Sequence, residues 1–148
     1  MHDSVLRFVR TSTRDLGPGI DVLDVGSFNV NGTARVVFDG LEHTYLGVDM
    51  VEGPGVDIVC DAHELDTVLD GRQFDVVLCL EMLEHDSAPW ATAAQLARAC
   101  RPGGSIIITA RGNGFPLHNE PDCFRFMEAG LRAVLEAGGL QVLRIQPD

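Results

Sequence analysis

Short apolar runs alternate along the chain with longer segments of helical periodicity, and Gly, Asp or Pro closes each run. The runs predict six strands at residues 20–25, 44–48, 56–60, 74–80, 105–110 and 140–145. Runs that are apolar throughout are typical of strands buried on both faces of a parallel sheet. Their alternation with helical segments predicts a doubly wound α/β sandwich, a Rossmann-like, mostly parallel sheet with helices on both faces.

Apolar residues at helical spacing predict the main helices. We expect an N-terminal helix within residues 1–17, a second that opens at Pro89, and a last one over about 122–137. The sequence contains no repeat, low-complexity stretch or linker. It therefore predicts a single domain over residues 1–148, with the sheet and its helices in 19–148.

Charge narrows the chemistry that this chain can perform. Its 148 residues include 22 Asp+Glu against 11 Lys+Arg, the formal net charge is -11, and every basic residue is an arginine. Without lysine, the chain has no Schiff-base amine and no phosphate-binding lysine of a P-loop. The acidic balance also disfavours broad nucleic-acid binding, because a polyanion is bound by clustered positive charge.

The four cysteines indicate a reduced environment. They form no CxxC pair, and Cys60 and Cys79 lie in apolar runs, where a thiol behaves as a small hydrophobe. Arg7, Arg10 and Arg14 interrupt the N-terminal segment, and no stretch approaches the ~18 apolar residues of a membrane span. We therefore expect a cytoplasmic protein that does not associate with membranes.

Acidic residues stand at the ends of four consecutive predicted strands. Asp24 lies near the end of the first strand, Asp49 and Asp61 directly follow the second and third, and Glu81 follows the fourth. Doubly wound sheets bind ligands beyond the carboxyl ends of their strands, at the point where strand order reverses. An acidic rim at that edge favours a cationic ligand and would repel a pyrophosphate.

The loop after the first strand has the composition of a ligand-binding turn. Gly26, Ser27 and Gly32 suit a tight turn whose backbone N–H groups face a ligand. An NAD-binding GxGxxG loop would require glycine where Phe28 and Asn31 stand, which disfavours an NAD-linked dehydrogenase. By itself the loop is equally compatible with an ordinary strand-to-helix turn.

Five short segments together resemble class I S-adenosylmethionine-dependent methyltransferases. They are VLDVG at 22–26, LGVD at 46–49, CDA at 60–62, FDVV through EH within 74–85, and RPGGS at 101–105. The resemblance covers residues 19–145, and the chain is similar to a small, single-domain, type 11-like member. It implies that S-adenosylmethionine, a net cation, contacts Asp24, Gly26, Ser27, Gly32, Asp49, Met50, Asp61, Ala62 and Glu81. In that family Asp49 would hold the ribose, and Asp61 with Ala62 would hold the adenine.

The expected reaction is methyl transfer to an O or N atom of a small molecule. The segment from Glu81 through Glu84 to His85 is similar to the ExxEH segment of ubiquinone-biosynthesis O-methyltransferases and small-RNA 2′-O-methyltransferases. There these residues and a later histidine, which His118 would match, hold a divalent metal. Many methyltransferases carry a similar segment without metal, so both alternatives stay open. His118 and His85 are the candidate catalytic bases.

Residues 116–126 resemble the loop that covers the substrate in this family. Arg111, His118 and Arg125 would offer polar contacts there. The brevity of the chain leaves little room for a separate substrate-binding insertion.

Two departures from the family keep an alternative function open. The first loop lacks the common GxGxG, and the hairpin of two strands that ends the family sheet, the last antiparallel, is represented by one strand at 140–145. The alternative is a catalytically inactive methyltransferase-fold module that binds cofactor or a protein partner. An open sheet edge invites pairing, and a homodimer would cover it.

Overall fold

The computed structural model describes residues 2–116 and 120–147. Within them, one sheet contains five strands, which are β1 (Ile20–Val25), β2 (His43–Asp49), β3 (Ile58–Val59), β4 (Phe74–Leu80) and β5 (Cys100–Thr109). All pairs are parallel and the order is β3-β2-β1-β4-β5. The predicted Rossmann-like sheet is confirmed, and its order reverses between β1 and β4.

The predicted sixth strand is wrong, because residues 140–145 have no strand structure. Leu140 and Val142 pack against the core, whereas Leu143 is 86% exposed. A strand needs a neighbour for its backbone groups, and here Arg132 donates to the Val142 carbonyl at 3.3 Å. Within residues 2–116 and 120–147 the sheet therefore has no antiparallel strand, and β5 forms one of its edges.

Four helices flank the sheet in the part of the chain that the structure describes: α1 (Asp3–Thr13), α2 (Leu65–Leu69), α3 (Pro89–Ala99) and α4 (Glu128–Ala137). On one face, Val5 and Val9 of α1 share a core with Val22 of β1. On the other, apolar residues of α2, α3 and α4 pack with Leu23 and Val25 of the same strand. Successive residues of β1 thus supply opposite cores, as the pleat of a buried strand requires.

Two boundaries differ from the sequence prediction. Helix α4 begins at Glu128 rather than near 122, because the preceding backbone is already paired: the Phe126 N–H donates to the Arg111 carbonyl at 2.9 Å. Strand β5 begins at Cys100, opposite Phe74, and a register irregularity absorbs the Pro-Gly-Gly segment at 102–104. The strand predicted to start at residue 105 therefore begins five residues earlier, and the Pro-Gly-Gly segment is an irregularity within the edge strand.

In residues 2–116 and 120–147, every helix is too short or too polar to cross a bilayer.

Candidate functional site

The loop after β1 is bound to the end of β2 by its backbone. The N–H groups of Gly26 and Ser27 both donate to the Val48 carbonyl, at 2.9 and 3.1 Å. Gly26 has a φ of 85°, and a Cβ there would lie 2.9 Å from Met82 Cγ. Only glycine fits this position without strain, and it lets the chain after β4 approach the point where strand order reverses.

Ser27 places an unpartnered hydroxyl at that point. Its side chain is buried, and the described residues provide no hydrogen-bond partner for its Oγ. A Cβ on Gly47 would stand 2.7 Å from this oxygen, so glycine in β2 leaves the space that the hydroxyl occupies. Because a buried hydroxyl without a partner costs about 1–3 kcal/mol, a ligand that supplies one is favoured here.

Asp49 joins the loop after β1 to the loop after β2. Its Oδ2 accepts the backbone N–H of Phe28 at 3.0 Å, and its Oδ1 accepts that of Val51 at 3.0 Å. Each carboxylate oxygen has a further lone pair available for a ligand hydroxyl. Met50, the next predicted contact, is 69% exposed at the same edge.

Asp24 occupies the interior of the sheet rather than its rim. It is buried on the same face as Val22, and the Tyr45 hydroxyl donates to its Oδ2 at 2.7 Å. The Arg35 guanidinium lies 4.4 Å from the centre of the Tyr45 ring. Burial raises the pKa of Asp24 to about 6, against the opposing effects of the Tyr45 hydrogen bond and of Arg35. Its predicted cofactor contact stays a prediction.

The end of β3 is held close to the segment that follows β4. Asp61 caps the short 3₁₀ turn that starts at Ala62, because its Oδ1 accepts the His63 N–H at 2.8 Å. The His63 ring in turn lies 2.9 Å, from Nε2 to Oδ1, from Asp86. The structure thus places the predicted adenine contacts, Asp61 and Ala62, at the carboxyl edge together with Asp49, whose carbonyl accepts the Cys60 N–H at 2.9 Å.

The segment after β4 brings two carboxylates and an arginine together. Glu81 directly follows the strand with a left-handed φ of 54°, and its N–H donates to the Thr109 carbonyl of β5 at 2.9 Å. The Arg111 Nε lies 3.5 Å from Glu81 Oε2 and 3.4 Å from Glu84 Oε1. The sequence predicted Arg111 only as a polar contact to the substrate and did not reveal its pairing with Glu81 and Glu84.

Glu84 is wholly buried in this cluster. The segment after β4 forms a single 3₁₀ turn, Leu83–His85, within which the Glu84 side chain is buried. Burial raises its pKa, as does the neighbouring Glu81, while His85 and Arg111 act in the opposite direction. The Glu84 carbonyl accepts the N–H groups of Cys123 and Phe124, which anchors the segment before α4.

His85 belongs to the same anchor. Its Nδ1 donates to the Pro121 carbonyl at 2.7 Å, and its Nε2 lies 4.0 Å from Glu84 Oε1. Within residues 2–116 and 120–147, no three His, Cys, Asp or Glu side chains converge as a metal site requires. His118 lies outside the described residues, so its predicted roles as base and metal ligand stay predictions.

Arg125 fixes the segment that resembles a substrate-covering loop. It donates to the carbonyls of Phe115 at 3.2 Å and Pro116 at 2.9 Å, and it forms a bidentate salt bridge with the Asp122 carboxylate. Phe115 and Trp90 remain about half exposed near this edge, at 46% and 50%. Arg125 therefore links residues 115 and 116 to Asp122.

A separate cavity of about 370 Å³ lies along the outer side of α4. Its walls come from α4 and Ile145, and it includes none of the residues at the strand ends. It is not part of the candidate site.

The strand order reverses between β1 and β4, and acidic residues stand at the carboxyl edge of the parallel sheet. These features define a doubly wound α/β fold of the nucleotide-binding kind. Residues 23–108, more than half of the chain, match the family model described as "Methyltransferase domain". The chain belongs to this family, among the class I S-adenosylmethionine-dependent methyltransferases.

Curated relatives point to the same family. The chain is 34% identical over 117 residues to the ubiquinone biosynthesis O-methyltransferase of Idiomarina loihiensis, with 70% of this chain and 47% of that protein covered. The corresponding protein of Thiobacillus denitrificans is 32% identical over 117 residues, with 70% and 50% covered. The chain spans about half the length of these curated relatives.

Solved structures show the same fold. The 1,6-didemethyltoxoflavin-N1-methyltransferase of Burkholderia thailandensis, bound to its didemethyltoxoflavin and S-adenosylhomocysteine, has a TM-score of 0.71 at 23% identity, covering 92% of this chain and 67% of that one. The phosphoethanolamine N-methyltransferase 2 of Haemonchus contortus, bound to phosphomonomethylethanolamine and S-adenosylhomocysteine, has a TM-score of 0.71 at 20% identity, covering 93% and 36%. At these identities the likeness concerns the fold.

Proposed function

We propose that the protein transfers a methyl group from S-adenosylmethionine to an O or N atom of a small molecule. The observation that carries the proposal is the unpartnered, buried Ser27 hydroxyl beside the Gly26 turn, at the point where strand order reverses. Asp49 stands at the same edge with free lone pairs, and the chain belongs to the methyltransferase-domain family. A buried polar atom that lacks a protein partner fits a ligand that brings one.

The residues at the strand ends suit the parts of this cofactor. Gly26, Ser27 and Gly32 would face its methionine part, Asp49 its ribose hydroxyls, and the edge formed by Asp61 and Ala62 its adenine. Glu81 and Met50 would complete the rim, while Asp24 would act from within the sheet. When bound, the cofactor supplies an already activated methyl group on a sulfonium. Its net positive charge matches the acidic edge.

The chain's own contribution would be to align the acceptor, exclude water and accept a proton. His85 donates its Nδ1–H to the Pro121 carbonyl, and its Nε2 lies 4.0 Å from the buried Glu84 Oε1. These contacts tie His85 to the segment before α4, so we propose His118 ahead of His85 as the base. The Arg111 guanidinium lies between the carboxylates of Glu81 and Glu84, so these residues do not fit a divalent metal, and no step is assigned to one.

The curated relatives favour an oxygen acceptor. Both are named ubiquinone biosynthesis O-methyltransferases, whereas the two solved structures carry the names of N-methyltransferases of small molecules. All four support a small-molecule acceptor. We propose O-methyl transfer first and N-methyl transfer second.

Turnover on a panel of small phenols and amines tests the reaction. Release of S-adenosylhomocysteine that depends on an acceptor, and that falls in His118→Ala but not in the surface variant Asp39→Ala, is expected. Tight binding of S-adenosylhomocysteine without turnover on any acceptor would instead favour the inactive module, for which the Phe28-containing loop is the motivating feature.

We further propose a cytoplasmic location and a homodimer. All four cysteines are unpaired, as a reducing compartment would leave them. The outer edge of β5 faces no strand in the described part of the chain, and an open edge can pair with a second copy. Sedimentation velocity at increasing protein concentration checks the second point; a monomer throughout would contradict it.

A further inference from the structure

We propose that Arg111 is the fixed cation of the Glu81–Glu84 carboxylate pair, that it excludes a divalent metal from this place, and that the acceptor is consequently one that needs no metal activation. Only the acceptor class rests on the proposed methyl transfer. The role of Arg111 and the exclusion of a metal concern the cluster itself.

The positions of the charges support the first step. One nitrogen, Arg111 Nε, lies within 3.5 Å of Glu81 Oε2 and within 3.4 Å of Glu84 Oε1. Glu84 is fully buried, and neither of its carboxylate oxygens has a hydrogen bond from the described residues. In its ionised form a buried carboxylate of this kind is stabilised by a neighbouring positive charge, and Arg111 supplies one.

The same geometry leaves no room for a metal between the two glutamates. A divalent cation binds several oxygens at about 2.0–2.6 Å, so it would have to sit where the guanidinium nitrogen now lies. A second positive charge in a low-dielectric site is also repelled by the first. His85 does not complete a ligand set here, because within residues 2–116 and 120–147 no three His, Cys, Asp or Glu side chains converge on one point.

Arg111 is held in place from several sides. Its carbonyl accepts the Phe126 N–H at 2.9 Å, and the adjacent Gly112 forms a bridge with Phe126. Its side chain is 13% exposed, and the guanidinium lies 5.7 Å from the centre of the Phe115 ring. These contacts oppose movement of the arginine out of the cluster to admit a metal.

The consequence concerns the acceptor. Methyl transfer to an alkyl or ribose hydroxyl needs strong activation, which a metal supplies by lowering the pKa of the oxygen it binds. Without one, the acceptor proton has to pass to a side-chain base. We therefore assign the site to nucleophiles that lose a proton readily or that attack before losing one, namely phenols and unprotonated amines.

Manganese binding to the full chain tests the role of Arg111. Free Mn²⁺ is followed by electron paramagnetic resonance during titration of the unmodified protein, of Arg111→Ala and of Arg111→Ala/Glu81→Gln. The matched control is Arg98→Ala, whose side chain is 56% exposed and paired with Asp66. We expect no stoichiometric site in the unmodified protein or the control. Arg111→Ala should gain one Mn²⁺ site, with an affinity roughly tenfold or more above any residual Mn²⁺ binding by the unmodified protein. The double variant should lose that site.

Stoichiometric Mn²⁺ binding by the unmodified protein that disappears in Glu84→Gln would overturn the inference. So would an Arg111→Ala variant that folds but gains no site; Arg111→Gln replaces it where the alanine variant does not fold. Methylation of an alkyl hydroxyl that stops with EDTA and returns with Mg²⁺ would overturn the acceptor assignment. Binding of S-adenosylhomocysteine, titrated separately in EDTA, decides the methyltransferase proposal independently of these results.

Discussion

Asp49 Oδ2 accepts a hydrogen bond from the backbone N–H of Phe28 at 3.0 Å, across the crevice between β2 and β1. Phe28 stands where the family's loop usually has glycine, and its ring packs against the next loop, where a Cβ on Gly53 would lie 2.1 Å from Phe28 Cε2. The carboxylate therefore holds the unusual loop in shape while its remaining lone pairs face the proposed ribose position.

Replacement of Asp49 should weaken cofactor binding. Asp49→Ala removes charged hydrogen bonds to the ribose hydroxyls and the support of the Phe28 loop. We expect the binding free energy of S-adenosylhomocysteine to weaken by ~1–3 kcal/mol in calorimetric titration. Asp39→Ala, at an exposed acid outside the site, is the control and should bind as the unmodified protein does. An unchanged dissociation constant for Asp49→Ala would show that the ribose position is misplaced.

Asp24 should make stability depend on pH. Burial raises its pKa from 3.8 to about 6, so the folded protein binds this proton more tightly than the unfolded chain does. The resulting stabilisation is complete below pH 3.8 and is lost as the pH rises through about 6. Asp24→Asn cannot ionise, so its free energy of unfolding should not show this loss. As the pH rises through this range, the variant should become more stable relative to the unmodified protein by on the order of 3 kcal/mol.

Urea unfolding at several pH values between about 4 and 7.5 measures this difference. Asp39→Asn, at an exposed acid, is the control and should run parallel to the unmodified protein. Tyr45→Phe removes the hydrogen bond that lowers the pKa of Asp24 and should move the transition to higher pH. If Asp24→Asn also runs parallel to the unmodified protein at every pH, the buried carboxylate is not the source.

Gly47 should tolerate no side chain. A Cβ there would lie 2.1 Å from the Gly55 carbonyl oxygen and 2.7 Å from Ser27 Oγ, and the first of these is backbone that cannot move aside. Gly47→Ala should therefore lower the free energy of unfolding by roughly 2 kcal/mol. Gly17→Ala is the matched control, because no atom lies within 4 Å of the added Cβ. Equal urea midpoints for the two variants would contradict the crowding at the loop after β1.

The sequence predicted the centre of the fold better than its margins. Strands β1 and β4 were predicted at their observed bounds, because each is a short, largely apolar run rich in valine with turn-forming residues at its ends, and each is buried on both faces. The run at 140–145 looks similar but forms no strand, since strand formation depends on a neighbouring backbone that local sequence does not reveal.

The sequence predicted where the candidate site lies but not the contacts between its side chains. Placing Asp49, Asp61 and Glu81 at successive strand ends needed only the topology of a parallel sheet. The burial of Asp24 against Tyr45 and the insertion of Arg111 between Glu81 and Glu84 depend on contacts between distant segments. An arginine directly after an apolar run and opposite an acid-rich strand end was the available signal, and it does not specify the partner.

Calorimetric titration of the chain with S-adenosylhomocysteine, S-adenosylmethionine and NAD tests whether the carboxyl edge of the sheet binds the methyl donor. We expect one molecule of either sulfur compound bound per chain, no heat from NAD, and weaker binding in Asp49→Ala. Absence of binding by both sulfur compounds to the folded protein would contradict it.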